Sequence, residues 1–190
     1  MIFPLLVMKI ILPLLERLPL QRLAVSWKDI YSGSLPKLHD SCAKFTQLTH
    51  LEIRDWREPG DPWTGWSGIA RFPRLTHLCF HDVETMMPLL GCALKFCPHL
   101  KVLVISCARR LHFDLAQRDL EISGTELTAD ARFVMFVWAR YFYDDDWEAY
   151  ARGSGEDFWV VADRHVAKRQ AGETTVSPEY FICPTDENGS

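Results

Sequence analysis

The sequence has no phosphate-binding loop, no dinucleotide fingerprint and no His-Glu-x-x-His zinc-protease motif. Each of these holds its ligand through a fixed spacing of glycines or donor side chains, so the chemistries they serve have no motif here and no cofactor is expected. Gly65-Trp66-Ser67-Gly68 does not make a nucleophile elbow, because its second glycine falls one place too early. A surplus of one charge is also missing: 21 Lys and Arg stand against 25 Asp and Glu. The excess lies after Arg169, where Glu173, Glu179, Asp186 and Glu187 face no basic residue. The body is therefore near neutral, which argues against nucleic acid as a partner.

Long apolar runs are absent beyond the first fifteen residues. That first run is interrupted by Pro4, Lys9 and Pro13, continues directly into Glu16-Arg17, and lacks both a basic start and a small-x-small cleavage site. It is too short to cross a bilayer, so a buried, proline-bent helix is expected and no membrane partner. The six cysteines (Cys42, Cys79, Cys92, Cys97, Cys107, Cys183) follow no disulfide-framework spacing. A 190-residue chain with 48% apolar residues can bury a core without such staples. Reduced thiols and a cytoplasmic or nuclear location are the corresponding expectations.

What the sequence does contain is one stretch that occurs twice. Phe45-Thr46-Gln47-Leu48-Thr49-His50-Leu51-Glu52-Ile53-Arg54-Asp55 is answered by Phe72-Pro73-Arg74-Leu75-Thr76-His77-Leu78-Cys79-Phe80-His81-Asp82. Two looser copies flank the pair, Leu20-Gln21-Arg22-Leu23-Ala24-Val25 and Leu100-Lys101-Val102-Leu103-Val104-Ile105. The first leucines fall at 20, 48, 75 and 100, in steps of 28, 27 and 25 residues. Such a period predicts stacked units of one strand plus a return segment, because a lone unit cannot bury its apolar edge.

Residues two apart on a strand share a face. Leu23/Val25, Leu51/Ile53, Leu78/Phe80 and Leu103/Ile105 are therefore expected to face the core. The alternate residues face outward: Arg22, Ala24 and Ser26; His50, Glu52 and Arg54; His77, Cys79 and His81; Val102, Val104 and Ser106. Helical returns are expected over 36–45 and over 85–97, where Thr85 offers an N-cap and Pro98 a stop. The return from Trp56 to Gly68 reads instead as a Pro- and Gly-containing loop carrying Trp56, Trp63 and Trp66.

Beyond Ile105 a short helix or turn is expected near Leu115 to Leu120, and Arg132 to Trp138 reads as a fifth strand, with Phe133 30 residues after Leu103. Val134 and Phe136 would then join Val102 and Val104 in an apolar patch. The patch serves either as a partner site or as a seat for the chain's own C-terminal part, for which 138–150 lies near enough. A helix starting near Glu156 and stopping at Gly172 places Phe158, Val161, Ala162, His165 and Val166 on one face, with Arg164, Lys168 and Arg169 on the other side or in the last turn. The expected organisation is an α/β chain. It has a short leucine-rich-repeat-like solenoid with a parallel sheet over 1–138, a helical C-terminal cap over 139–172 and a flexible acidic tail over 173–190.

With these Leu-x-x-Leu-x-apolar strands, and with the closing stretch from Asp130 through Trp147 and Trp159 to Arg169, the chain resembles the leucine-rich-repeat portion of fungal proteins of the F-box type. The resemblance covers roughly residues 15 to 140. It implies a module whose repeats hold a target protein, with ubiquitin-ligase scaffold subunits among the partners. The residues given before the first repeat do not read as an F-box, and the repeats are degenerate: where a full repeat carries a buried Asn or Cys, this chain has Lys28, Trp56, Val83 and Ala108.

The expected function is protein–protein interaction rather than catalysis, through Arg54, His77, His81, Trp63, Trp66, His50, Glu52, Val102 and Val104. Two alternatives stand beside it. One is a metal-dependent hydrolase using the His/Cys strand face or the acidic cluster Asp144, Asp145, Asp146 and Glu148. Residues two apart on a strand lie roughly 6.5–7 Å apart, too far to converge easily on one ion, and an acidic first helical turn explains the cluster more simply. Cys92, Cys97 and His99 have similarly weak ligand spacing. The other alternative is a truncated, non-functional gene product.

Overall fold

A computed structural model describes residues 14–15, 17–25, 44–54, 67–81, 87–107, 114, 117–118, 120, 125–137, 157–173 and 181–182. The expected N-terminal helix up to residue 13, the helix over 36–45 apart from its last two residues, the tryptophans of the 56–66 loop and the acidic cluster at 144–148 lie outside them. The chain divides into two compact units: Met1–His81 with Thr85–Lys101, and Asp82–Glu84 with Val102–Ser190.

In the first unit, strands β1 (Arg22–Val25), β2 (His50–Ile53) and β3 (His77–His81) are parallel neighbours in that order. Leu23 pairs with Leu51 and Leu51 with Leu78, so the repeat leucines lie on one rung. Leu51, Ile53, Leu78 and Phe80 are buried as expected, whereas Leu23 and Val25 are half-buried. Burial of such side chains contributes about 1.5–3 kcal/mol each. The unit continues through a 3-10 turn (Ser67–Arg71) and helix α1 (Met87–Phe96), which pack against one another. The helix matches the expected return over 85–97. Leu89, Leu90 and Ala93 on α1, and Cys97 just after it, are buried, at the i, i+1, i+4, i+8 spacing of one helical face.

The doubled stretch stacks position for position. Phe45 meets Phe72 with ring centroids 6.1 Å apart. The Arg74 guanidinium donates to Gln47 Oε1 at 2.8 Å. Thr49 donates its hydroxyl to Gln21 O at 3.0 Å, and Thr76 donates its own to Thr49 O at 3.2 Å. The same carbonyls accept backbone N–H groups from the following repeat, and Thr76 O in turn accepts from the Lys101 N–H at 2.8 Å. This threonine ladder explains why Leu-Thr-His-Leu recurs: the hydroxyl adds a bond at each step where two copies meet. Thr76→Val keeps the shape but removes that bond and the acceptor for His77. It is expected to cost about 1–2 kcal/mol, read as a lower urea midpoint at unchanged slope.

In the second unit, β4 (Val102–Cys107), β5 (Phe133–Val137) and β6 (Phe181–Ile182) are again parallel neighbours. Leu103 pairs with Phe133, the equivalence that the 30-residue spacing implied. Helix α2 (Thr125–Ala129), which the mixed pattern before the fifth strand concealed, precedes β5. In the region of the expected helix at 115–120, Gln117, Arg118 and Leu120 are helical. Within the stretch read as a flexible tail, Phe181 and Ile182 instead pair with Met135 and Phe136. They belong to the only apolar run in that acidic segment, and β5 offers it a partner edge.

Helix α3 (Phe158–Gln170) lies within the expected limits and packs on β4 and β5. The Asp157 carboxylate caps its first turn by accepting from the Val160 N–H at 3.0 Å. At the other end Gly172 takes φ 71° and donates to Arg169 O, while the Glu173 N–H reaches Lys168 O, the paired bonds of a Schellman stop. The α/β class with parallel strands therefore holds in both units.

The buried face of α3 differs from the expected one. Trp159 is buried with Phe158, Ala162 and Val166, whereas Val161 and His165 are only half-buried. Arg169, placed by its charge on the outer side or last turn, donates to Thr128 O, Asp130 O and Phe133 O at 2.6–3.0 Å. Its guanidinium ties the end of α3 to the turn between α2 and β5.

Candidate functional site

The outward residues of β2 and β3 form a polar cluster rather than an open face. His50 and His77 occupy one rung, and their rings stack with centroids 4.0 Å apart and planes within 9°. The Nδ1 atoms lie 2.8 Å and 2.7 Å from Thr49 Oγ1 and Thr76 Oγ1. Each hydroxyl has one hydrogen and directs it to a backbone carbonyl. The imidazoles therefore donate through Nδ1–H, which leaves Nε2 as the protonation site. The His50 pKa is pushed down to about 3, first by burial and then by His77 and Arg22.

Two residues further along, Glu52 is 2% exposed. Its Oε1 accepts from His81 Nε2 at 2.9 Å and from Arg54 Nε at 2.8 Å. Burial works to raise the Glu52 pKa, but the hydrogen bonds and positive charges of His81 and Arg54 outweigh it. The carboxyl is held below its ordinary range. A carboxylate oxygen only accepts, so Nε2 of His81 carries a hydrogen in this contact. Cys79 Sγ lies 3.8 Å from that same nitrogen. A Cys-His-Glu relay needs its thiol and carboxylate on opposite ring nitrogens and a thiol open to substrate. Here both contacts meet at Nε2 and Cys79 is fully buried, so the trio serves to join β2 to β3.

The expected site residues thus separate into groups. His50, Glu52, Arg54, His77 and His81 do lie together, yet Glu52, His77 (7% exposed) and His81 (6%) are buried rather than displayed. Arg54, with 34% of its side chain exposed, and the half-buried His50 and Arg22 are the accessible members. Val102 and Val104 are fully buried and not open to a partner, together with Val134 and Phe136. The apolar patch is covered by α3: the Phe158 ring meets Phe136 edge-on at a centroid distance of 6.1 Å. The chain's own C-terminal part therefore takes this seat, through 158–170, while 138–150 lies outside the described residues. Trp63 and Trp66 also lie outside them.

The threonine partners of the two histidines were not singled out from the sequence, although they were legible in principle, because Thr recurs with His in both copies.

Among the described residues, no group of three His, Cys, Asp or Glu side chains could hold a metal ion, and no helix is long and apolar enough to cross a membrane. Cys79, Cys92, Cys97 and Cys107 are not joined in disulfides. Comparison with protein-family models, curated proteins and solved structures gave no match.

Proposed function

We propose that the chain is a protein-interaction module of the leucine-rich-repeat type, a short solenoid serving as the target-binding part of a ubiquitin-ligase adaptor. The observation that carries this reading is the stacking of the doubled stretch. Phe, Leu and Thr positions repeat to build the frame, while the accessible outward positions change from Arg22 on β1 to His50 on β2 and Arg54 just after it. A frame that repeats while its outer face varies suits recognition of another protein.

In this reading Arg22, His50 and Arg54, with Trp63 and Trp66 from the sequence that follows Arg54, touch the partner. Glu52, His77 and His81 hold Arg54 and His50 in position. Arg22→Gln with Arg54→Gln leaves the Glu52–His81 pair in place and should keep the folded circular dichroism spectrum. It is expected to weaken capture of the partner at least tenfold, the loss typical of a recognition hot spot at about 1.4 kcal/mol or more. Affinity purification of the wild-type and variant chains, scored for ubiquitin-ligase scaffold subunits, tests both parts. Identical partner sets would sink the assigned face, and a wild-type set without scaffold subunits would remove the ligase role.

A further inference from the structure

The stacked His50–His77 pair has a geometry that tolerates protons poorly. Its planes lie within 9° at 4.0 Å, and each Nδ1–H is committed to a threonine hydroxyl whose own hydrogen is bound to a neighbouring backbone carbonyl. A proton can therefore enter only at Nε2. A second one would place two imidazolium rings face to face, with Arg22 of β1 paired to His50 on the same rung. The nearest carboxylate along β2, Glu52, is already held by Arg54 and by His81 of β3. His77 is buried and His50 half-buried, so water screens the repulsion weakly.

We propose that this pair is an acid-operated latch on the β1–β2–β3 unit: with both rings neutral the strands stay stacked, and proton uptake opens this unit before the β4–β5–α3 unit. The folded form keeps His50 neutral down to about pH 3, whereas an opened chain binds that proton near the ordinary value of about 6.5. Between these values the opened state holds more protons, so the stability of the unit falls as pH falls. Glu52 acts in the same direction at lower pH, because its depressed folded pKa gives stability that is lost on protonation. Among the described residues of the second unit His165 on α3 is the one histidine, so two imidazoles do not face each other there.

Native-state hydrogen exchange of the full chain tests this, with rates corrected for the intrinsic effect of pH. From about pH 6 to about pH 5, the amides of β2 and β3 are expected to lose roughly tenfold more protection than those of β4 and β5, one proton's worth per pH unit. His50→Phe keeps a flat ring for the stack and should remove most of that extra loss. His50→Gln, which takes no proton and keeps an amide donor for Thr49, provides the same comparison if the first variant does not fold. A parallel loss in both units of the wild-type chain would overturn the latch, as would an undiminished loss in the variants.

Discussion

Replacing Glu52 by Ala is expected to destabilise the chain by about 3–5 kcal/mol, the range for removing one partner of a buried ion pair. The carboxylate is the common acceptor of Arg54 and His81, and it bridges β2 to β3 from a position that is 2% exposed. For a chain of this length each kcal/mol moves the melting temperature by roughly 2–4 °C, so a fall of about 10 °C is the expected reading. Glu52→Leu combined with His81→Leu replaces the charged pair by apolar bulk and should recover much of the loss. If the double variant proved as unstable as Glu52→Ala, the missing charge pairing would not be the cause.

Arg169→Met is expected to cost about 3 kcal/mol, because three backbone carbonyls lose a charged donor worth about 1.5–3 kcal/mol at best geometry. Thr128 O, Asp130 O and Phe133 O converge on this one guanidinium. Lys168→Met is the control: it removes a charge from the same helical turn at an exposed position and should stay within about 0.5 kcal/mol. The Asp130 carboxyl offers a second readout. Its pKa is held low first by a hydrogen bond from Arg132, against the effect of burial, with a contribution from the charge of Arg169. The Arg169 variant should therefore raise it, and Lys168→Met should leave it in place. Equal losses in the two variants would show that the charge of the turn matters rather than the three carbonyls.

The inner face of the repeats was readable from spacing because strand alternation and burial follow local rules. Leu51, Ile53, Leu78, Phe80, Leu103 and Ile105 are buried where period-two alternation put them. The outer face was not readable in the same way. Alternation says which residues point away from the inner core, but not whether another element then covers them. Val102 and Val104 show the difference: they point outward as expected and are covered by α3. Charge misled at Arg169, since a terminal-turn arginine reads as solvated unless the carbonyls it will meet are known.

The twice-written Leu-Thr-His-Leu stretch by itself determined the parallel strands, their register and the inner-face residues they bury, because a repeated pattern can satisfy itself only by stacking like on like. Only the tertiary structure decided what the remaining side chains do. The sharing of Glu52 by Arg54 and His81 and the capture of Arg169 by three carbonyls join residues 29 to 41 positions apart, apart from the two-residue Glu52–Arg54 link. No local preference specifies such contacts: they arise where the packed elements bring a donor and an acceptor together away from water.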